Sequence, residues 1–192
     1  MLGVILCGGN SSRMGTDKGL IITNGTTWAR SAYNVLKGAG LDIVVSVNKD
    51  QLTTYKSIFV DTEVIPDDTL LSVKGPLRGI LSVYAKFPDD LLVLATDMPF
   101  MNSAVITSLL NTNRQYAEAI VFKNKTTVEP LCAIYTSKTL SRIQQLVASN
   151  QLPVHSLKYV LSTMKVREIP VKESEMIFFR NFNYPQDPGS HD

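Results

Sequence analysis

The chain has 192 residues, of which 44% are hydrophobic and 19% charged, as in one soluble α/β domain with a well-buried core. This composition excludes a disordered or fibrous protein, and the formal net charge of +2 is too small to favour a nucleic-acid-binding protein. Two cysteines, Cys7 and Cys132, favour a reducing, cytoplasmic compartment, and no apolar stretch is long enough to predict a membrane span.

Strand-like and helix-like segments alternate along the first 115 residues. The apolar run at residues 3–7 stops at Gly8-Gly9 and is typical of a strand buried on both faces of a parallel sheet. After a polar loop, helical spacing of apolar residues behind a Thr26/Thr27 cap predicts the first helix at residues 27–37. The next predicted segments are a strand at 42–48, a helix at 51–58, a strand at 63–66, a helix at 77–86, a strand at 91–95 and a helix at 103–114.

This alternation predicts a parallel sheet with right-handed crossovers, whose ligands bind beyond the carboxyl ends of the strands. The last third of the chain carries further predicted elements. They are strands at 119–122, 131–135, 165–171 and 176–179, and helices at 138–149 and 155–162. Since no linker, repeat or low-complexity segment interrupts the chain, we predict a single domain over residues 1–192.

The exit of the first strand is rich in phosphate-binding groups. Residues 6–18 read L-C-G-G-N-S-S-R-M-G-T-D-K and combine glycines with two cations, Arg13 and Lys18. Glycines let backbone N–H groups approach an anion, while Arg13 offers a planar fork and Lys18 a point charge. The spacing fits neither the dinucleotide-binding pattern nor the P-loop pattern. A βα turn with solvated cations is the alternative, but the thirteen-residue pattern favours a polyphosphate site.

Acidic and polar residues follow the other predicted strands. Asp97, in T-D-M-P-F, is placed to bind Mg²⁺, which needs only one or two carboxylates beside phosphate and water. A helix-capping role for Asp97 is disfavoured because Asn102 is nearer to the next helix. Ser46 and Asn48 end one strand, and Asp67 follows the next. For Asp67 and Asn48 taken singly, ordinary turn chemistry is an equal alternative to ligand binding, and only their shared edge of the sheet favours ligand binding.

Two later segments contain candidate acceptor contacts. Glu129 opens a strand and could orient an acceptor, or could be a solvated residue before an edge-strand proline. Asn181 and Asn183 flank an aromatic residue and could contact a heterocycle, or could form an Asx-type turn. The chain has two histidines, both distant in sequence from the phosphate-binding loop, which disfavours a histidine-based triad or a zinc site.

Taken together, these segments resemble the molybdenum cofactor guanylyltransferases of the MobA type. Residues 6–18 resemble the family signature L-A-G-G-x-S-x-R-M-G-x-D-K. G-P-L-R-G at 75–79 is similar to the family's G-P-L-x-G, D-M-P-F at 97–100 to its D-x-P-[FY], and N-F-N-Y-P at 181–185 to its N-x-N-T-P. The resemblance covers nearly the whole chain. Departures are Cys7 for the usual Ala, Ser46 where some members have Asn, and Y-P-Q-D at 184–187 for T-P-E-[DE].

The resemblance implies a three-layer Rossmann-like nucleotidyltransferase fold with a mostly parallel central sheet. It implies a nucleotide-binding part at about 1–115 and an acceptor-binding part at about 116–187. The implied catalytic residues are Arg13, Lys18 and Asp97, with Asp97 holding the Mg²⁺ cofactor. The resemblance implies nucleotide contacts at Leu6, Gly8, Gly9, Lys18, Asp67 and Asp97, and acceptor contacts at Asn181 and Asn183. We add Cys7, Ser46 and Asn48 to the predicted nucleotide contacts, and Gly79 and Glu129 to the predicted acceptor contacts.

The implied reaction is the transfer of GMP from GTP to the terminal phosphate of molybdopterin, with loss of pyrophosphate. A phosphate monoester with a second pKa of about 6 is already ionised at neutral pH, so the nucleophile needs no general base. The implied partners are GTP, molybdopterin and proteins that supply or receive the cofactor. Alternatives are a cytidylyltransferase for the same pterin, a sugar-1-phosphate nucleotidyltransferase, and a non-catalytic nucleotide-binding or cofactor-delivery module. Cytidylyl relatives usually carry Ala-Gly at the position of Gly8-Gly9, so the smaller residue favours a purine.

Overall fold

A computed structural model of the protein describes residues 1–8 and 17–182. Its strands, in chain order, are β1 (Leu2–Leu6), β2 (Ile22–Thr23), β3 (Thr26–Thr27), β4 (Asp42–Val47), β5 (Glu63–Pro66), β6 (Leu91–Ala95), β7 (Ala119–Asn124), β8 (Thr127–Tyr135) and β9 (Val166–Pro170). Its α-helices are α1 (Trp28–Gly38), α2 (Leu52–Ile58), α3 (Pro76–Lys86), α4 (Ser103–Leu110), α5 (Ser137–Ala148) and α6 (Leu157–Ser162). Three 3-10 helices span Lys18–Leu20, Lys49–Gln51 and Glu173–Phe179.

Seven of the strands form one twisted sheet in the order β5-β4-β1-β6-β8-β7-β9. The β5-β4, β4-β1, β1-β6 and β7-β9 pairs are parallel, whereas β8 runs antiparallel to both of its neighbours. Val4 of β1 pairs with Val44 on one side and Val93 on the other, so the centre of the sheet is a band of β-branched residues. The expected mostly parallel central sheet is confirmed.

Helices cover both faces of this sheet. The chain moves from β1 outward to β4 through α1 and later returns from β5 to β6 through α3. Because parallel crossovers are right-handed, opposite directions of travel place α1 and α3 on opposite faces. Consistent with this, α1 packs with α4, and α3 packs with α5. The result is the expected three-layer, Rossmann-like arrangement.

Most predicted elements occur close to their predicted positions, and the strands at 63–66 and 91–95 have the predicted bounds. The strand predicted at 176–179 is wrong, because Glu173–Phe179 is a 3-10 helix. Its first turn is closed locally: the Lys172 N–H donates to Glu175 Oε2 at 3.2 Å, and the Glu175 N–H donates to the Lys172 carbonyl at 2.9 Å. These hydrogen bonds stabilise a helical turn in a segment whose apolar residues predicted a strand.

Two further differences have local causes. The helix predicted at 103–114 ends at Leu110, since Asn111 and Asn113 are weak helix formers that favour turns. The polar stretch before α1 contains the β2-β3 hairpin, which was not predicted. Its turn residues Asn24 and Gly25 have φ values of 52° and 77°, the left-handed conformation that a two-residue hairpin needs.

Among the residues that the structure describes, no helix has the length and apolarity to traverse a bilayer.

Candidate active site

The polar residues predicted at strand ends lie along one edge of the sheet. Since β5, β4, β1 and β6 are adjacent and parallel, their exits place Asp67, Asn48, Gly8 and Asp97 side by side. The Leu6 carbonyl accepts a hydrogen bond from the Thr96 N–H at 3.3 Å, which links the first exit to the Asp97 exit. The strand order reverses between β1 and β6, and α/β sheets bind ligands at such a switch point.

One half of the site is a preformed cavity of about 320 Å³. Its walls come from three strand exits and from the segment that begins α3. The lining residues are Leu6, Gly8, Ser46, Asn48, Asp67, Lys74, Gly75, Pro76, Arg78 and Gly79. The volume is at the lower end of the range for small-molecule sites. The structure therefore brings most of the residues predicted to contact the nucleotide around a single cavity.

Two buried oxygens at this cavity have no hydrogen-bond partner among the described residues. They are Ser46 Oγ and Asp67 Oδ1. Burial raises the pKa of Asp67, with the Arg78 guanidinium opposing the rise. An unsatisfied buried acceptor costs about 1–3 kcal/mol, so a site that retains two of them is organised for a ligand. The amino, imino and hydroxyl groups of a nucleoside are suitable donors.

Glycines shape the wall next to these oxygens. A Cβ at Gly79 would lie 2.6 Å from Ser46 Oγ and 3.3 Å from Asp67 Oδ1, so only glycine leaves this space open. Gly79, which was predicted to contact the acceptor, therefore lies with the residues predicted to contact the nucleotide. A Cβ at Gly8 would meet the Asn48 N at 3.4 Å and Asp67 Oδ2 at 3.8 Å, which are ordinary contacts.

Asn48 and Cys7 use their polar groups mainly within the protein. Asn48 caps the following 3-10 helix, because its Oδ1 accepts from the Gln51 N–H at 3.0 Å. The Cys7 N–H donates to the Ser46 carbonyl at 2.9 Å. The Cys7 side chain is buried toward Tyr55, and this burial raises the thiol pKa. Asn48 still lines the cavity, whereas Cys7 is not part of its lining.

The second half of the site places Lys18 and Asp97 around Phe182. Lys18 Nζ donates to the Phe182 carbonyl at 3.3 Å, and the Phe182 N–H donates to the Asp97 carbonyl at 3.0 Å. Asp97 Oδ1 is buried and has no partner within the described part of the chain. Burial raises the pKa of Asp97, while the positive charge of Lys18 lowers it. The predicted catalytic lysine and carboxylate are thus electrostatically coupled.

Phe182 is a site residue that was not predicted. Its ring is 1% exposed and packs edge-on against Trp28 and Phe100, with centroid distances of 6.2 Å and 5.2 Å. Arg180 lies over the same ring at 5.1 Å. This packing fixes the Phe182 backbone, to which Lys18 and Asp97 are hydrogen-bonded. The aromatic residue between two asparagines was visible in the sequence, but its partners are distant along the chain.

Glu129 and Asn181, both predicted to contact the acceptor, lie together beside Asp97. The Asn181 side chain lies next to Glu129 and favours its ionised form, and Glu129 Oε1 accepts from the Leu131 N–H at 3.1 Å. Burial raises the pKa of Glu129, the Asp97 charge raises it further, and the Leu131 N–H, Lys158 and Asn181 oppose the rise. The proline after Glu129 lies at a β7-β8 register shift, not on an edge strand, so the edge-strand alternative is wrong.

Three predicted site residues, Gly9, Arg13 and Asn183, lie outside the described residues. Within residues 1–8 and 17–182, no group of three or more histidine, cysteine or carboxylate side chains could hold a metal ion. The donor set nevertheless fits Mg²⁺, which takes hard oxygen ligands and often uses one carboxylate together with phosphate and water. Asp97 Oδ1, buried and unpartnered, is the oxygen that fits this role.

The sheet order, the cavity and the cationic and acidic groups at its edge define a nucleotide-binding α/β enzyme. The chain belongs to the family whose model is described as MobA-like NTP transferase domain, which matches residues 3–164. It is therefore a nucleotidyltransferase, as the sequence predicted.

Similar proteins support this assignment. A protein of Methanothermobacter thermautotrophicus, named "Probable molybdenum cofactor guanylyltransferase", is 29% identical over 188 residues, covering 95% of this chain and 94% of the relative. A Geobacillus sp. protein of the same name is 28% identical, with 97% and 95% covered.

Solved structures share the fold. The molybdopterin-guanine dinucleotide biosynthesis protein A of Archaeoglobus fulgidus has a TM-score of 0.77 and 23% identity, covering 97% of this chain and 94% of that one. The 4-diphosphocytidyl-2C-methyl-D-erythritol synthase of Anaerococcus prevotii has a TM-score of 0.73 and 12% identity, covering 96% and 91%.

Proposed function

We propose that this nucleotidyltransferase transfers GMP from GTP to the terminal phosphate of molybdopterin, forming the guanine dinucleotide cofactor and pyrophosphate. The observation that carries the proposal is the convergence of Lys18 and Asp97 on Phe182, beside a cavity with unpartnered acceptors. The assignment of GTP as the donor and of the pterin as the acceptor is based on the names of the relatives. They are named molybdenum cofactor guanylyltransferase and align along almost the whole chain.

The nucleoside of GTP would occupy the cavity lined by Leu6, Ser46 and Asp67. Asp67 Oδ1 would accept from a base or ribose donor, which would satisfy an oxygen that is otherwise orphaned. Gly79 keeps the space beside that oxygen open. The triphosphate would then extend from the cavity toward the β1-β6 exit, where Lys18 and Asp97 lie.

At that exit the reaction needs mainly charge and alignment. The acceptor phosphate would attack the α-phosphorus of GTP, forming a new P–O bond as the bond to the pyrophosphate oxygen breaks. Lys18, together with Arg13, would offset the repulsion between the anionic nucleophile and the triphosphate. Asp97 would hold Mg²⁺, which supplies charge neutralisation and orients phosphate oxygens when bound. No side chain has to remove a proton from the nucleophile.

The acceptor would lie on the Glu129 side of the site. Glu129 and Asn181 lie together next to Asp97, and both belong to the later part of the chain. We propose that residues 1–115 mainly bind the nucleotide and residues 116–187 mainly bind the acceptor. Contacts with proteins that supply or receive the cofactor belong to the same proposal. So does a cytoplasmic location, which fits two cysteines that are both buried and free.

Calorimetry with GTP, CTP, ATP and UTP in Mg²⁺ buffer, followed by pyrophosphate-release assays with molybdopterin, tests this function. We expect GTP to bind with the highest affinity and pyrophosphate release to require the pterin. Lys18→Ala and Asp97→Ala should each lose at least about a hundredfold in kcat/KM while keeping a cooperative unfolding transition. Wild-type turnover in both variants would overturn the catalytic assignment. Binding without release would favour the non-catalytic module, and release with CTP alone would favour the cytidylyltransferase.

A further inference from the structure

Gln51 lies between the nucleotide cavity and the catalytic lysine and forms hydrogen bonds toward both. Its Nε2 donates to the Cys7 carbonyl at 3.1 Å and to Asp17 Oδ2 at 2.6 Å. The Gln51 backbone N–H donates to Asn48 Oδ1 at 3.0 Å, and Gln51 Oε1 accepts from the Asn48 backbone N–H at 2.9 Å. One half-buried side chain therefore joins the β1 exit, the β4 exit and the residue immediately before Lys18.

Asp17 is held by several donors and in turn determines the backbone at Lys18. Besides Gln51, Asp17 accepts from the Gly19 N–H at 2.9 Å and from the Tyr55 hydroxyl at 3.0 Å, both through Oδ1. The Gly19 bond makes Asp17 the N-cap of the 3-10 helix Lys18–Leu20. An N-cap sets the direction in which the first residues of a helix leave the preceding loop. The orientation of Lys18 thus depends on Asp17, and Asp17 depends on Gln51 and Tyr55.

The surroundings leave little freedom for this arrangement to shift. Tyr55 is 0% exposed and stacks on Phe59 at 6.2 Å. A Cβ at Gly19 would overlap the Tyr55 hydroxyl, so the turn at residues 17–19 closes directly onto the tyrosine. Burial raises the pKa of Tyr55, which keeps the hydroxyl protonated and able to donate. Rigid supporting groups of this kind are what hold a reacting side chain within a fraction of an ångström.

From these contacts we infer that Gln51 is a positioning residue that sets Lys18 through Asp17 and couples it to the Asn48 wall of the nucleotide cavity. Gln51 acts through other residues and does not touch the triphosphate in this role. Its amide has both a donor and an acceptor, so it can serve Asp17 and Asn48 at once, which neither a carboxylate nor an apolar side chain of the same length does. The inference rests on the proposed function, because it assigns Lys18 to the phosphates of GTP.

A double-mutant cycle between Gln51→Met and Lys18→Ala tests the inference. The primary readout is kcat/KM from pyrophosphate release, and the second is the Kd for inorganic pyrophosphate from calorimetry. Gln51→Met should lower kcat/KM and weaken pyrophosphate binding about tenfold in the wild-type background, the effect of losing a hydrogen bond to a charged group. In the Lys18→Ala background the same substitution should change either quantity less than about twofold.

Tyr55→Phe provides a milder second variant that keeps the buried ring and removes only the hydroxyl. We expect a loss of about threefold that also disappears in the Lys18→Ala background. If Gln51→Met does not fold cooperatively, this second cycle decides the question. Gln144→Met is the matched control, since Gln144 is also half-buried but lines a different cavity beside Leu71 and Val147. It should leave both readouts unchanged.

Additive losses in these cycles would overturn the inference, because a merely structural effect does not depend on Lys18. Failure of the proposed function would look different. In that case the wild-type protein would release no pyrophosphate with GTP and molybdopterin, while the pyrophosphate-binding cycle would still measure whether Gln51 acts through Lys18.

Discussion

Asp97 should limit the stability of the protein at neutral pH. In the unfolded chain its carboxyl titrates near its ordinary value of 3.8, and burial raises its pKa in the fold. A carboxyl with a raised folded pKa favours the folded state below that ordinary value, and this contribution is lost as the pH rises through the raised pKa. Once it ionises, the buried carboxylate, whose Oδ1 has no partner among the described residues, therefore destabilises the fold. Asp97→Asn should increase the free energy of unfolding by about 1–2 kcal/mol.

Thermal unfolding without metal or nucleotide measures this effect. At about 2–4 °C per kcal/mol for a chain of this size, Tm should rise by about 2–8 °C at pH 7.5. The gain should shrink as the pH falls toward 3.8. Asp61→Asn, at an exposed carboxylate, is the control and should shift the free energy by less than about 0.5 kcal/mol. Mg²⁺ with GTP should raise the Tm of the wild type more than that of Asp97→Asn. A lower Tm for Asp97→Asn at pH 7.5 would refute the reasoning.

Three further predictions concern the two halves of the site. Phe182→Leu and the matched control Phe179→Leu should each lose about 1–2 kcal/mol of stability. Phe182→Leu alone should lower kcat/KM by more than about fivefold, because the Phe182 backbone hydrogen-bonds to Lys18 and to Asp97, and equal kinetic losses would contradict this. Gly79→Ala should raise the Kd for GTP about tenfold in calorimetry by crowding Ser46 Oγ, and unchanged affinity would show that the cavity does not hold the nucleoside. Gly8→Ala should fold normally yet lower the ratio of GTP to CTP use in a competition assay, and an unchanged ratio would remove this residue from base selection.

The parallel part of the fold could be predicted from local patterns. A continuous apolar run at residues 3–7 and a β-branched segment at 42–48 each correspond to a strand that is buried on both faces. The reversed direction of β8 could not be predicted, because its apolar run is compatible with either pairing and its direction depends on β6 and β7. The hairpin before α1 was predictable in principle, since Asn24-Gly25 is a strong turn signal.

In the site, too, residues marked by local sequence patterns could be predicted, whereas residues defined by contacts distant in sequence could not. Asp67 and Asp97 could be identified because each follows a recognisable strand, and the order of strands then brings them to one edge. Phe182 and Gln51 could not, because their contacts join residues far apart in sequence: Lys18 and Phe182 are separated by 164 positions, and Gln51 and Cys7 by 44. Gly79 was placed with the acceptor by motif resemblance alone, and only the packing of α3 against β4 and β1 shows that it borders the cavity with Ser46 and Asp67.

The most direct test of the proposed guanylyl transfer uses GTP that carries a labelled α-phosphate. The protein would be incubated with purified molybdopterin, Mg²⁺ and equal concentrations of labelled GTP and unlabelled CTP, and the pterin product would be separated and counted. We expect stoichiometric labelling of the pterin as a guanine dinucleotide, with one pyrophosphate released per label, and loss of labelling in Lys18→Ala. Release of pyrophosphate without label in the pterin, or a product that contains cytidine, would contradict it.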